Sequence, residues 1–222
     1  MTTEQQINDL GPWISKFTID GISTGGWFDV LADMRAIRWL DLLKKPVRVV
    51  ECGPLEGGHT ALIAQHPHVS GVVGLESREA NLKKCRFIHD SMGIANSAFH
   101  QCDLDQQPIS QFGKFDAMWC SGVLYHLDRP DRFLQRLDVP DLFLGTHYSK
   151  ESIDTYEGMR GRWYKEHGLE DVLSGMSDRS FWLTLGNIQA ILADAGYEIY
   201  ELITSDSQNG PWVDLMAHRK PA

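Results

Sequence analysis

Short apolar runs alternate with helical patterns over the middle of the chain, from Pro46 to about Tyr148. Five of these runs are short and mainly apolar, as strands are when helices cover both faces of a parallel sheet. They occupy residues 47–52, 71–76, 98–102, 115–120 and 142–146. Between two of them, Leu82, Cys85 and Ile88 recur at helical spacing. The alternation predicts consecutive parallel β-α units.

The sequence after these units divides into three parts. Residues 149–182 are rich in Gly, Ser, Tyr and Trp without a clear period, so we expect an irregular, functional lid. Apolar residues such as Leu185 and Leu192 then predict a helix that ends at Gly196. Strands are predicted at 198–204 and 212–218, and such a closing pair indicates one antiparallel edge strand.

The first 45 residues precede the sheet and are rich in aromatic residues, including Trp13, Phe17 and Trp27. A helical pattern covers residues 29–43. Because so short a segment cannot bury a core alone, we predict a cap packed over the sheet and not a separate domain.

Composition and charge narrow the classes of function. Hydrophobic residues make up 42% of the chain, and the formal net charge is -9, without a long run of Lys and Arg. An acidic chain is a poor match for nucleic-acid phosphates. No apolar run approaches the ~20 residues that span a bilayer, and the N-terminus lacks a signal-peptide pattern. We therefore expect no membrane partner and a cytoplasmic location.

The four cysteines form no C-x-x-C pair and have no histidines beside them at metal-ligand spacing. They are expected to be reduced thiols in or near the core. No metal site is predicted.

Candidate chemistry begins where the first predicted strand ends, in Glu51-Cys52-Gly53-Pro54-Leu55-Glu56-Gly57. Glycines at this place allow a tight turn whose backbone approaches a ligand. The spacing is not G-x-G-x-x-G, and the carboxylates of Glu51 and Glu56 would repel a pyrophosphate. The turn suits a ligand with cationic groups; an ordinary β-α turn is the alternative.

Two further carboxylates follow strand ends. Glu76, followed by Ser77, ends the second strand about 20 residues beyond the turn, where nucleotide-binding folds place a carboxylate for ribose hydroxyls. The alternative is a favourable charge at a helix start. Asp103, followed by Leu104, comes after the third strand. Its carboxylate can accept a hydrogen bond from an adenine amino group or remain a solvated loop acid.

The fourth strand ends in Cys120-Ser121-Gly122-Val123-Leu124-Tyr125-His126, where the reactive end of a ligand is expected. His126 is a candidate general base at neutral pH, and Tyr125 borders the same region. A histidine that only bonds the backbone is an equal alternative. His147 is a second candidate. Charged and aromatic residues of the lid suit acceptor binding, and a surface loop that packs its own aromatics is the alternative. They are Glu157, Arg160, Trp163, Tyr164, Lys165, Glu166, Ser180, Phe181 and Trp182.

Taken in order, Glu51-x-Gly53-x-x-x-Gly57, Glu76, Asp103 and the strand-four segment resemble class I S-adenosylmethionine (SAM)-dependent methyltransferases. The resemblance implies an α/β fold with a Rossmann-like, seven-stranded, mostly parallel sheet and one antiparallel edge strand. It implies a single domain over 1–222, made of a cap (1–45), a cofactor-binding core (46–148), a lid (149–182) and closing elements (183–222). SAM is then the cofactor and S-adenosylhomocysteine (SAH) the product.

The resemblance also implies which residues bind and react. In this interpretation Glu51 and the glycine turn hold the methionine end of the cofactor, Glu76 the ribose, and Asp103 with Leu104 the adenine. The full set of predicted cofactor-binding residues is Glu51, Gly53, Pro54, Gly57, Glu76, Ser77, Asp103, Leu104, Cys120 and Ser121. The catalytic candidates are His126 and Tyr125.

Four segments are similar to a branch of methyltransferases that includes tRNA wobble-uridine methyl- and carboxymethyltransferase-like proteins. They are Phe17-Thr18-Ile19-Asp20-Gly21, Gly25-Gly26-Trp27-Phe28-Asp29, residues 122–127 and Ser180-Phe181-Trp182. In its carboxymethyl-transferring members, the resemblance implies that Tyr125 helps to hold a carboxylated cofactor. We predict methyl transfer to a small or medium-sized acceptor, either a biosynthetic metabolite or a sugar.

Three alternatives stay open: a tRNA wobble-uridine methyl- or carboxymethyltransferase, a non-catalytic SAM-binding protein, and a nicotinamide dehydrogenase on a similar fold. The absent G-x-G-x-x-G opposes the dehydrogenase. Neither the methylated atom nor the oligomeric state follows from the sequence.

Overall fold

The computed structural model describes residues 1–207 and 209–220. The chain divides into two compact units, Met1–Cys102 and Asp103–Ala222. The organisation as a single domain stays a prediction. The fold is α/β with a seven-stranded, mostly parallel sheet and antiparallel pairing at one edge, which confirms the predicted fold class. Within the described residues, no helix has the length and apolar character that a membrane crossing needs.

The first unit contains four helices and five strands. In chain order they are α1 (Thr3–Leu10), β1 (Thr18–Ile19), β2 (Ile22–Ser23), α2 (Met34–Asp41), β3 (Val47–Cys52), α3 (Gly58–Ala64), β4 (Val69–Glu76), α4 (Glu79–Ser91) and β5 (Ser97–Gln101). Strand β4 pairs in parallel with both β3 and β5. Val49 and Val50 of β3 are both fully buried, as expected for a strand covered on two faces.

The N-terminal segment packs its apolar side chains against α4. Ile7 of α1, Trp13 and Phe17 form a buried cluster with Ile88 of α4. Helix α1 begins with a capping box, in which Thr2 accepts a hydrogen bond from the Gln5 backbone and the Gln5 side chain accepts one from Thr2. Burial of aromatic residues and a well-capped helix thus order this segment.

The continuous helix predicted over 29–43 is wrong in its first turn. A short 3-10 helix, Val30–Ala32, precedes α2. The Asp33 side chain accepts a hydrogen bond from the Arg35 backbone N–H at 2.9 Å, so Asp33 is the N-cap from which α2 starts.

Among the residues of the second unit that the structure describes there are two α-helices and seven strands. They are β6 (Ala117–Ser121), α5 (Pro130–Gln135), β7 (Asp141–His147), β8 (Asp154–Tyr156), β9 (Met159–Lys165), β10 (Arg179–Leu183), α6 (Leu185–Asp194), β11 (Tyr197–Ser207) and β12 (Gly210–Arg219). Strands β6 and β7 are parallel, whereas β12 runs antiparallel to β7 and to β11. Trp119 of β6 stacks on Phe143 of β7, with ring centroids 3.9 Å apart. The predicted end of α6 is confirmed, since Gly196 follows it with a left-handed φ of 87°.

Residues 149–182 are irregular only in part, because three strands lie within the predicted irregular lid. Strands β8, β9 and β10 form a separate three-stranded antiparallel sheet. Glu157 and Gly158, with φ of 51° and 86°, form the tight turn between β8 and β9. At Gly161 a side chain would collide with the Trp182 backbone, because an added Cβ would lie 1.9 Å from its carbonyl oxygen. Many of the interleaved charges and aromatics of this segment, from Arg160 to Lys165 and from Arg179 to Trp182, therefore lie on two paired strands.

Candidate active site

The glycine turn after β3 winds its backbone through three left-handed residues. Gly53, Leu55 and Gly57 have φ of 67°, 55° and 82°. At Gly57 an added Cβ would lie 3.1 Å from the Cys85 Cα of α4, so a larger residue would be both strained and crowded. The Pro54 carbonyl closes the turn by accepting the Gly57 N–H at 2.8 Å.

Glu76 holds the same turn from the end of β4. Its Oε2 accepts the Leu55 backbone N–H at 3.1 Å, and its Oε1 accepts the Arg78 N–H at 2.9 Å. The Ser77 hydroxyl donates to Oε1 at 3.3 Å. Burial raises the pKa of Glu76 above its ordinary value, although these donors oppose the rise. The structure thus brings Glu76 and Ser77 to the glycine turn, as their order in the sequence implies.

Glu51 is more completely buried than Glu76. It is 1% exposed, and its carboxyl accepts a hydrogen bond from the Thr60 hydroxyl. His59 Nδ1 lies 3.9 Å from its other oxygen. Burial raises the pKa of Glu51 to about 8, so the carboxyl is mainly protonated at neutral pH.

Glu56, in contrast, fastens the N-terminal segment to the turn. It accepts the backbone N–H groups of Ile14 at 3.0 Å and Ser15 at 2.6 Å, and Lys84 Nζ lies 2.8 Å from it. These contacts are more than twenty-five positions apart in sequence, which is why the sequence shows Glu56 only as a charge near a turn.

In the second unit, two predicted adenine contacts lie in the turn before β6. Asp103 accepts the Asp105 backbone N–H at 3.0 Å and donates its own N–H to Gln107. Leu104 is buried, and its carbonyl accepts a hydrogen bond from Arg136. At the end of β6, Cys120 is fully buried and Ser121 is half-buried.

Tyr125 lies at the centre of a group of rings that we call the aromatic cluster: Tyr125, His147, Trp182 and Trp212. The Tyr125 ring centroid is 4.8 Å from that of His147 and 5.7 Å from that of Trp182. The His126 ring adjoins it at 4.1 Å. Burial raises the pKa of the Tyr125 phenol, so the hydroxyl stays protonated at neutral pH. The 3-10 helix Leu124–His126 after β6 thus places both predicted catalytic residues on this cluster.

His126 is held by a carboxylate that sequence reasoning did not single out. His126 Nδ1 lies 2.9 Å from Glu166 Oε1. Glu166 is 4% exposed and also accepts hydrogen bonds from the Ser174 hydroxyl at 2.5 Å, the Gly175 N–H at 2.8 Å and the Ser180 hydroxyl at 2.7 Å.

The donors around Glu166 decide its ionisation. Burial by itself raises the pKa of Glu166, but the hydrogen bond and charge of His126 and the other donors outweigh it and lower the pKa to about 2. Glu166 is therefore ionised at neutral pH and accepts a hydrogen bond from His126 Nδ1, so that Nδ1 carries the proton of the neutral ring.

His147 has its tautomer fixed in another way. Its Nδ1 lies 3.0 Å from the Pro211 carbonyl, which can only accept, so Nδ1 carries the proton. Burial lowers the pKa of His147, against the effect of this hydrogen bond. The ring stacks on Trp182 at 5.0 Å with an angle of 8°. His147 is thus a neutral imidazole within the aromatic cluster.

Comparison with known proteins assigns the family. The model of the methyltransferase domain family matches residues 43–161, more than half of the chain. The chain belongs to this family. With the fold described above, it is a class I SAM-dependent methyltransferase with SAM as its cofactor. A comparison with curated protein sequences gives no match.

Solved structures agree with this assignment. The N-terminal domain of EvdMO1, crystallised in the presence of SAH and D-fucose, is 28% identical with a TM-score of 0.84; the match covers 100% of this chain and 98% of that chain. The match to EvdMO1 itself is 25% identical with a TM-score of 0.73, and covers 97% of this chain but 46% of that chain. A 1,6-didemethyltoxoflavin-N1-methyltransferase of Burkholderia thailandensis is 16% identical with a TM-score of 0.63, covers 87% of this chain and 79% of that chain, and shows the fold alone.

The residues of the glycine turn fit SAM by the chemistry of their groups. Glu76 is a buried carboxylate at a strand end, as hydrogen bonds to a vicinal diol require. Glu51 and Glu76 provide acceptors and no fixed positive charge, which suits a ligand with a sulfonium and an ammonium group. Among the described residues, no group of three His, Cys, Asp or Glu side chains is arranged to hold a metal ion.

Proposed function

We propose that this methyltransferase transfers a methyl group to a hydroxyl group of a sugar or a similar polyhydroxylated small molecule. The observation that carries the proposal is the hydrogen bond between His126 Nδ1 and Glu166 at 2.9 Å. The similarity to a domain crystallised with SAH and D-fucose, 28% identical over the whole chain, supports a sugar acceptor.

The His126–Glu166 pair supplies the proton acceptor that a hydroxyl group needs. When bound, SAM supplies a methyl group on a sulfonium and leaves as SAH. The acceptor hydroxyl gives its proton to His126 Nε2 while the hydroxyl oxygen forms the new bond to the methyl carbon. Glu166 stabilises the imidazolium that results. A hydroxyl is a weak nucleophile at neutral pH, so a positioned base contributes typically 10²–10⁴-fold.

The cofactor-binding part of the proposal rests on the glycine turn and the two glutamates beside it. Glu76 and Ser77 are proposed to hold the ribose, and Glu51 with the Gly53–Gly57 backbone the methionine end. A protonated Glu51 donates a hydrogen bond, and the charge of a bound ammonium would favour its ionised form. Pro54, Asp103, Leu104, Cys120 and Ser121 remain predicted cofactor contacts from the sequence.

The direct test is an assay of methyl transfer from SAM to D-fucose, in which the release of SAH is measured. We expect turnover by the wild type and a fall in kcat of about 10²-fold or more for His126→Gln, with unchanged SAH affinity in a calorimetric titration. His218→Gln is the matched control, because His218 also lies near a carboxylate, Glu198, at 3.9 Å but on the exposed face of β12. Equal kcat for His126→Gln and His218→Gln would remove His126 as the base.

The tRNA alternative is tested in the same assay. No described contact favours it, and the net charge of -9 opposes it. Transfer to tRNA together with no transfer to sugars would overturn the proposed acceptor while leaving the enzyme class intact.

A further inference from the structure

The Arg162 side chain lies on the edge of the aromatic cluster. Arg162 of β9 is directly opposite Trp182 of β10, so both side chains stand on one face of the sheet. The guanidinium carbon is 4.7 Å from the Trp182 ring centroid. Trp182 in turn stacks on His147, and Ser180, two residues earlier on the same face, donates to Glu166. One sheet face therefore carries both the support of His126 and an arginine.

This arginine has no carboxylate partner within the part of the chain that the structure describes, residues 1–207 and 209–220. Arg129 shows what a structural arginine of this unit does. It also lies over a ring, that of Tyr156, but it donates to both carboxylate oxygens of Asp131, at 2.9 and 2.7 Å. The positive charge of Arg162 therefore lies over a ring, and no counter-ion faces it among residues 1–207 and 209–220.

Two donors on this face also lack acceptors. Arg162 Nε and Trp182 Nε1 are both buried and, among the described residues, have no hydrogen-bond acceptor. Trp182 is 2% exposed. Buried N–H groups are nearly always paired in native proteins, and an unpaired one costs free energy. An oxygen-rich ligand on this face would supply both the missing acceptors and the missing negative charge.

We propose that Arg162 and Trp182 form an oxyanion subsite, so that the methylated acceptor carries a carboxylate or phosphate group close to its reacting hydroxyl. The proposal rests on the proposed function and names the class of its substrate. The planar guanidinium can donate two parallel hydrogen bonds to the oxygens of a carboxylate or a phosphate. A neutral sugar has hydroxyl groups but no negatively charged oxygens.

Three related acceptors separate the possibilities. D-Fucose is neutral, D-galacturonate replaces its methyl group by a carboxylate, and D-fucose 1-phosphate adds a phosphate at the anomeric carbon. In steady-state methyl transfer we expect KM to be at least about 10-fold lower for one charged acceptor than for D-fucose, and the better of the two identifies the oxyanion.

Arg162→Gln should abolish this preference and leave KM for D-fucose nearly unchanged, whereas Arg162→Lys should retain part of it. Arg160→Gln is the matched control, since Arg160 is an exposed arginine two residues earlier on β9. A preference for the charged acceptor that survives in Arg162→Gln would overturn the subsite.

Binding can also be measured without turnover. Side-chain ¹H–¹⁵N resonances of arginine Nε and tryptophan Nε1 are followed while D-galacturonate or inorganic phosphate is added to the full chain. Saturable shifts that disappear in Arg162→Gln support the subsite even if none of the three acceptors is methylated, in which case only the proposed function fails. Equal KM for all three acceptors in the wild type, with no shift, overturns the subsite and leaves the proposed function standing.

Discussion

Glu51 and Glu166 are two buried glutamates in two different units, and they carry opposite protonation states. Glu51 is 1% exposed and Glu166 is 4% exposed, yet the pKa of Glu51 is raised to about 8 and that of Glu166 is lowered to about 2. Burial raises both. Burial is more complete around Glu51, where the charge of Glu76 adds to the rise and the Thr60 hydroxyl opposes it. Around Glu166, the hydrogen bond and charge of His126 and the donors Ser174, Gly175 and Ser180 outweigh burial.

The comparison shows that the depth of burial, the hydrogen-bond donors and the neighbouring charges together decide the protonation state of a buried carboxyl. Glu51 can donate a proton to a hydrogen bond or give it up when a cation binds. Glu166 is a fixed negative charge that orients a base.

The largest expected effect is the pH dependence that Glu51 adds to stability. The pKa of Glu51 is about 8 in the folded protein and near 4.5 in the unfolded chain, so between these values the native state holds the extra proton. The free energy of unfolding should therefore fall as pH rises through this window, by up to about 1.4 kcal/mol per pH unit from this group. In Glu51→Gln this part of the slope should vanish in urea unfolding at several pH values. An identical slope in both proteins would mean that Glu51 ionises freely.

Glu166 should act in the opposite direction at acid pH. Its pKa is about 2 when folded and near 4.5 when unfolded, so its contribution to stability is complete above 4.5 and is lost as pH falls towards 2. The contribution is of the order of 3 kcal/mol. The stability difference between wild type and Glu166→Gln should shrink steadily on acidification, with Glu198→Gln, 60% exposed, as the control. A difference that does not depend on pH would contradict an ionised Glu166.

The same substitution should lower catalysis. In Glu166→Gln the amide NH₂ can donate to His126 Nδ1 and so favour the tautomer whose Nε2 carries the proton, which cannot accept one from a hydroxyl. We expect kcat for the sugar acceptor to fall about 100-fold while SAH affinity is unchanged. Glu166→Asp, which keeps the charge, should recover part of the loss. If Glu166→Gln and Glu166→Asp are equally slow, the charge is not what matters.

The smallest effects concern single donors. Removing one hydroxyl in Ser180→Ala should raise the pKa of Glu166 and cost about 1 kcal/mol of stability at neutral pH, because one charge-assisted hydrogen bond is lost. Thr60→Val should raise the pKa of Glu51 further and cost less at neutral pH, because its partner is already mainly protonated. Thermal unfolding of the two variants at the same pH measures both losses of stability. A larger loss of stability for Thr60→Val than for Ser180→Ala would contradict this comparison.

Local patterns in the sequence determined the parallel strands of the large sheet, the end of α6 and the order of the motifs that are predicted to bind the cofactor. The strand predicted at 47–52 is β3, and Gly53, Gly57 and Glu76 meet at one turn, because a strand-turn-helix unit places its own residues. The same local logic placed Tyr125 and His126 together after β6.

The tertiary structure alone decided the partners that give these residues their chemistry. Glu166 meets His126 across 40 positions of sequence, and Glu56 meets Ile14 across 42. The sequence of residues 149–182 predicts an irregular segment because charged and aromatic residues alternate there without a clear period. Only the pairing of β9 with β10 shows that these residues belong to two strands. A sequence pattern reports periodicity over a few residues, whereas the ionisation of a buried group depends on every donor that long-range packing brings to it.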